Sequence, residues 1–349
     1  MDRAAKGKQA LWCAAAAAVA LFLCSKSSPL FVLNDWMDAN IFFTMGKSMF
    51  QGRVLYRDVF DHKGPVLYLL YGLGWLLDHT GFTGVWLLEV LAFAAFLYLG
   101  LCTAALFLPK PLSPAWAVVP AAATAASRAF SHGGSAEEFL LPLLAAALYG
   151  LLKTLCKGRK MRLPAVMLQG FLAGCALWLK YTVLGFYLAW VLVLAAWYVR
   201  RGWGRALAQS CGAFLGGMAL ATAPWVLYFA AHGALADWFT VYFYDNLFLY
   251  SGSGGAAALV QHLWWAVRDA LPGALLALLF PAWAAARRRP AAAAVCLLAA
   301  GLAGTSLLGG YLVYYGLVLA VFVPLGLAPL AQLAGRVRLP RPGRAAAPW

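Results

Sequence analysis

Charged side chains are scarce in this chain. Only 11% of its 349 residues are Asp, Glu, Lys or Arg, while 64% are hydrophobic. A soluble domain carries about 25% charged residues, so this scarcity and a mean hydropathy of +0.77 exclude an ordinary soluble domain. Regular polar/apolar alternation is also lacking, which excludes a membrane β-barrel. What remains is an all-α, polytopic integral membrane protein. Acidic residues are the rarest charged class, 12 against 27 Lys plus Arg, giving a net charge of +15. That surplus does not imply nucleic acid, because the basic residues sit in short clusters between apolar runs, the pattern of cytoplasmic loops. The seven cysteines are Cys13, Cys24, Cys102, Cys156, Cys175, Cys211 and Cys296. They form no CxxC or Cys/His cluster, so neither a disulfide framework nor a zinc site is indicated. No Rossmann or P-loop signature appears either.

Apolar runs near 10–33, 83–107, 114–129, 136–153, 165–180, 182–199, 206–231, 262–285, 291–308 and 310–334 predict ten transmembrane helices. Segment 65–78 is apolar but reaches only about 21 Å as a helix, short of the ~30 Å hydrocarbon core. It is expected to be interfacial or re-entrant; if it crosses, the count is eleven. Arg3, Lys6 and Lys8 before the apolar Ala10–Cys24 run are signal-like, but no small-x-small cleavage site follows, so an uncleaved first span is expected. With the N-terminus inside, 19 of the 27 Lys and Arg fall on the inner side. The outer face then carries 34–64, 128–136, 232–261 and Lys180. One membrane domain over 1–349 is expected, with a basic cytoplasmic tail at 336–349 and an outer aromatic loop at 232–261.

The few carboxylates are not spread evenly. Asp35, Asp38, Asp58 and Asp61 share the 34–64 loop with Lys47, Arg53, Arg57, His62 and Lys63. Charge gathered in one loop beside a bilayer points to a polar site more than to a solvated connection. Asp35 and Asp38 are three apart and on a helix would share a face. Asn34 or Asp35 could cap that helix. Ile41, Phe42, Met45, Met49 and Phe50 would make it amphipathic, lying on the membrane surface. Gly52 breaks it, and Pro65 can start the next helix. Elsewhere, Glu137 and Glu138 begin a span, where negative charge is favoured in any case; the alternative is a ligand contact, together with His132. Asp237–Tyr250 holds seven aromatics in 14 residues. It reads as an interfacial belt, or as a helix covering the site, with Asp245 and Asn246 near the ligand and glycines 251–255 as a hinge. Spacing signals no metal site, although a divalent metal stays open.

The first loop resembles that of the GT-C glycosyltransferases, such as the protein O-mannosyltransferases and the lipid A aminoarabinose transferases. Asp38 takes the place of the leading acidic residue, with Phe42, Gly46, Met49 and Gly52 in step behind it. Lys63–Gly64–Pro65 stands for the closing Lys–Pro pair. The run Asp61–His62–Lys63–Gly64–Pro65 looks like bacterial members of the family. Ala39 stands where many members have Glu, which leaves Asp35 and Asp38 both as candidates. Gly170 and Gly174, on the run leading to Lys180, look like the family's glycine-bearing helix. Tyr311–Tyr315 falls where related sequences often carry His–Tyr; lacking the histidine, it is assigned no catalytic role.

The resemblance implies a polyprenyl-phosphate sugar donor, an inverting transfer, and a site on the outer face of a bacterial plasma membrane. The acceptor would be a glycan, lipid or protein of the cell envelope, with no nucleic acid and no certain cofactor. A carboxylate, Asp38 or Asp35, would serve as base. Lys63, Lys180 and Arg57 would bind the donor phosphate. Arg57 and Arg128 are the weaker candidates, each equally suited to anchoring lipid headgroups. Glu137, Glu138, His132 and Asp61 would contact acceptor or sugar. The rival reading, a transporter or lipid flippase, predicts charges at mid-membrane depth and broken helices in repeated halves. Glu89 is the only acidic residue well inside an apolar run.

Overall fold

The structure, a computed structural model, describes residues 3–250 and 255–335. These form α1 (Arg3–Cys24), α2 (Met37–Phe50), α3 (Pro65–Leu77), α4 (Thr83–Ala105), α5 (Val118–Ala125), α6 (Ala136–Lys157), α7 (Leu163–Leu179) and α8 (Leu184–Arg200). They continue through α9 (Gly204–Ala231), α10 (Leu235–Phe239), α11 (Ala256–Asp269), α12 (Gly273–Ala286), α13 (Ala291–Ser306) and α14 (Leu327–Leu333). A π-helical stretch, Thr240–Leu249, follows α10, and a 3-10 stretch, Val313–Gly326, precedes α14. The described residues contain no strand beyond one isolated bridge between Leu55 and Val59. The expected all-α polytopic architecture is what the chain adopts.

Six helical stretches are long and apolar enough to cross a bilayer alone: α1, α4, α6, Tyr181–Arg200, α9 and Val313–Leu333. The region drawn from the sequence as a span at 262–285 is instead broken. Its two halves, α11 and α12, meet at 108°. Pro272 explains the break, since it lacks an N–H and disfavours helical geometry in the residue before it. Four shorter apolar helices are Pro65–Leu77, Pro114–Ala125, Leu163–Leu179 and Ala291–Ser306. The last three match apolar runs expected to be spans; at 10–17 residues each falls short of the ~20 needed to cross a bilayer alone.

Two close approaches set the frame. Along α7 and α9, a side chain at Gly170 would strike the Phe214 backbone, and one at Gly217 the Met167 carbonyl. Small residues let these backbones meet, the usual device for joining helices in lipid. The other approach holds α2 on α3, where Gly46 lies against the backbone of Tyr68 and Gly72. Phe42 and Met45 are buried there. The apolar face of α2, expected to rest on the membrane, thus packs in good part against the protein's own helices.

Candidate active site

The 34–64 loop is folded by its own polar residues. Asn34 Oδ1 accepts the Trp36 N–H at 3.1 Å, and the Asn40 amide donates to the carbonyls of Asn34 and Trp36, both at 2.8 Å. Helix α2 begins only after Trp36. Asp35 therefore lies outside the helix and does not share a helical face with Asp38. It is exposed and pairs with Lys26 at 3.5 Å. Asp38 is half-buried in the first turn of α2, and its Oδ2 accepts a hydrogen bond from Tyr314 Oη at 2.6 Å. Trp36 stacks on His132 at 5.5 Å and meets Tyr314 edge-on at 5.3 Å. His132 is thus an aromatic support, with Nδ1 2.8 Å from Ser131 Oγ.

The far end of the loop is clamped. The Lys63 N–H donates to Tyr68 Oη at 2.8 Å, and the Tyr68 hydroxyl donates to Asp61 Oδ2 at 2.7 Å. Tyr56 Oη donates to the Lys63 carbonyl at 2.7 Å. Asp61, expected to touch acceptor or sugar, is largely enclosed and holds Tyr68 instead. Gly64 then lies on the end of α7, its N–H 3.3 Å from the Leu179 carbonyl. A side chain at Gly64 would collide with the Trp178 carbonyl. Only glycine lets the loop come down so close to Lys180.

Lys63 and Lys180 line the same cavity of about 310 Å³, whose wall includes His62, Tyr181, Tyr242, Asn246, Tyr250, Tyr311 and Tyr315. The two ammonium groups are not equivalent. Lys180 is buried in an ion pair with Glu137 and lies 3.4 Å from the centre of the Tyr315 ring. Lys63 Nζ faces His62 Nε2 at 3.2 Å. Burial, then the Lys63 charge, pushes the His62 imidazole below its usual value, against the pull of Asp61 and Asp38. A neutral imidazole leaves the Lys63 charge uncancelled.

The aromatic stretch after α10 forms one wall. Asn246 donates to the His62 carbonyl at 2.8 Å, and Tyr250 stacks on the His62 ring at 4.9 Å. Tyr242 accepts the Tyr181 N–H at 3.2 Å. Tyr242, Asn246 and Tyr250, spaced four apart, all line the cavity. Asp245 does not line it. The proposed hinge at 251–255 falls mostly outside the described residues, as does the basic tail at 336–349.

Two other expectations are corrected. Arg57 does not line the cavity. It chelates Asp58 at 2.9 and 3.2 Å and donates to the His232 carbonyl at 2.6 Å. The Arg57 hydrogen bond and the Val54 N–H hold the Asp58 carboxyl down at about 2. Glu138 is wholly buried, accepting the Gly134 N–H at 2.9 Å, next to Glu89, whose carboxylate is bonded by Ser25 at 3.0 Å. The helix-start residues therefore split: buried Glu137 pairs with Lys180, which lines the cavity, while Glu138 packs toward Glu89. The sequence reading missed Tyr314 and Tyr315. Their signal was the tyrosine cluster at 311–315, discounted for want of a histidine. Among the described residues no group of three or more His, Cys, Asp or Glu is placed to hold a metal ion.

No protein family's sequence profile matches the chain, and no curated protein matches it in sequence. Solved structures do match in fold. The crystal structure of ArnT from Cupriavidus metallidurans bound to undecaprenyl phosphate superposes with a TM-score of 0.63 over 95% of this chain, at 16% identity. The apo form of that protein gives 0.64, again over 95% of this chain and at 16% identity. The chain has the GT-C fold. It spans 63% and 62% of the length of those two structures. The GT-C architecture anticipated from Asp38 and the Lys63–Gly64–Pro65 ending is thus the architecture found.

Proposed function

We propose that this GT-C chain is a membrane glycosyltransferase that takes a sugar from a polyprenyl-phosphate-linked donor and passes it, with inversion, to a cell-envelope acceptor at the outer face of a bacterial plasma membrane. The observation that carries this reading is the convergence of Lys63 and Lys180 on one polar cavity, with the Tyr314–Tyr315 pair joining it to Asp38. The solved ArnT of the same fold is bound to undecaprenyl phosphate, and a phosphate is the group that two lysines in a cleft suit.

In this scheme the acceptor hydroxyl attacks the anomeric carbon while Asp38 takes its proton. The bond from that carbon to the phosphate oxygen breaks, and polyprenyl phosphate leaves from the opposite face. Lys63 offsets the charge that grows on the leaving phosphate. Lys180, already balanced by Glu137, orients the same oxygens and contributes less net charge. Tyr314 fixes the Asp38 carboxylate by donating to Oδ2. Asp35, turned out toward Lys26, takes no part.

The test uses purified protein with polyprenyl-phosphate sugars, comparing wild type with Asp38→Asn and Lys63→Ala. Sugar transfer by wild type, lost in both variants, is expected. Undiminished turnover in the variants would remove the assigned roles. Movement of intact lipid across the bilayer with no sugar released would favour a flippase.

A further inference from the structure

A second cationic cluster lies apart from the lysines. Asp269, at the end of α11 and fully buried, accepts from Arg268 Nε at 3.0 Å and Nη2 at 3.2 Å. It also accepts from Tyr311 Oη at 2.8 Å and pairs with Arg128 Nη1 at 3.4 Å. Two guanidinium groups around one carboxylate leave a net charge of +1. Both arginines remain open to the surroundings, with side chains 69% exposed at Arg128 and 47% at Arg268. A carboxylate with no exposure between two half-free guanidinium groups fixes them as a pair of donors for an anion.

Below this pair runs an apolar groove of about 300 Å³ between α5, the α11–α12 bend, α13 and the 3-10 stretch. Its lining includes Ser127 and Ala129, on either side of Arg128, and Val267 and Ala270, on either side of the Arg268–Asp269 pair. Leu263 and Leu278 at its rim are exposed, as is Cys296. The break at 270–272 creates the groove, because a straight helix there would leave no corner between its two halves.

We propose that this groove seats an anionic phospholipid of the surrounding bilayer, its phosphate on Arg128 and Arg268 and one acyl chain in the trough. Charge complementarity at the mouth and an almost wholly apolar floor match that amphiphile. A peptide would leave backbone groups unsatisfied on this floor. The site is separate from the lysine cavity, yet Tyr311 touches both, lining that cavity while donating to Asp269. A bound phosphodiester therefore fixes the segment that carries Tyr314 and Tyr315.

The experiment places the full chain, with Cys296 as its only cysteine and a fluorophore attached there, in nanodiscs of phosphatidylcholine with or without phosphatidylglycerol. Quenching by acyl-chain-labelled lipid should favour phosphatidylglycerol several-fold. Arg128→Gln, whose side chain is mostly exposed, should lower that preference about fivefold. Ala300→Trp should abolish quenching by filling the trough. Equal quenching by both lipids in wild type would overturn the proposal. So would displacement of phosphatidylglycerol by undecaprenyl phosphate in both wild type and the Lys63→Ala protein, since the groove would then serve the prenyl lipid. Circular dichroism and size-exclusion profiles keep a misfolded variant from being counted as support.

Discussion

The lysine cleft and the arginine cluster hold like charges in opposite ways. In the cleft, Lys180 is enclosed with Glu137 while Lys63 faces a neutral imidazole, so one cation is tied and the other is available. In the cluster, the carboxylate is enclosed and both arginines stand half-open. Tying one cation and leaving its neighbour available suits a charge that forms inside a cavity. Burying the anion makes a bracket that holds a ligand already charged.

The sharpest break in that comparison comes from the reacting groups. Asp38→Asn should lower kcat by about 10²–10⁴-fold, in the range of a lost general base, whereas Arg128→Gln should leave kcat within a few-fold. Next comes Gly64→Ala, which forces Lys63 away from the end of α7. A displacement near 1 Å can cost about 100-fold, so a drop of that order in kcat is expected together with a lowered Tm, because the clash is with backbone; steady-state kinetics and thermal unfolding check both. Lys180→Met strands Glu137 and should destabilise by about 3–5 kcal/mol. Adding Glu137→Gln should restore most of the stability without restoring activity, which separates the fold contribution of this pair from its chemical one. Tyr311→Phe, which cuts the Tyr311–Asp269 hydrogen bond between the two clusters, should cost about 1 kcal/mol and weaken lipid discrimination more than kcat.

The smallest effect concerns pH. His62 in the folded protein binds its proton less readily than a free histidine, so below about pH 6.5 the unfolded chain takes up the proton first and stability falls. Tm in detergent should decline from pH 7 toward pH 5, and His62→Gln should flatten that decline. An unchanged slope in the variant would assign the acid sensitivity elsewhere.

The helices and the polar loop were legible because hydropathy and the crowding of carboxylates are local signals. Those signals marked the 34–64 loop as a whole; Asp38 and Lys63 stood out within it through the family resemblance. The choice between Asp35 and Asp38 was not legible, since it depends on where α2 begins, and Trp36 rather than an aspartate sits at that boundary. The pairing of Lys180 with Glu137 joins residues 43 apart, and that of Tyr314 with Asp38 joins residues 276 apart. Such contacts arise only from packing. Arg57 lies away from the cavity for a local reason, because the adjacent Asp58 captures the guanidinium. The break at Pro272 was readable in principle, but a hydropathy window averages across it.

Gly64 also sets the terms on which this loop can be rebuilt. The stretch from Asp61 to Pro65 is anchored through Tyr56, Tyr68 and the end of α7, so its length behaves as a fixed spacer. Insertions or grafted epitopes belong before it, next to Arg53, where the chain is exposed, with Gly52 kept because its φ of +83° favours glycine. A single residue added after Asp61 would shift Lys63 by one position and uncouple this loop from the end of α7, which the fold brings together at a backbone carbonyl.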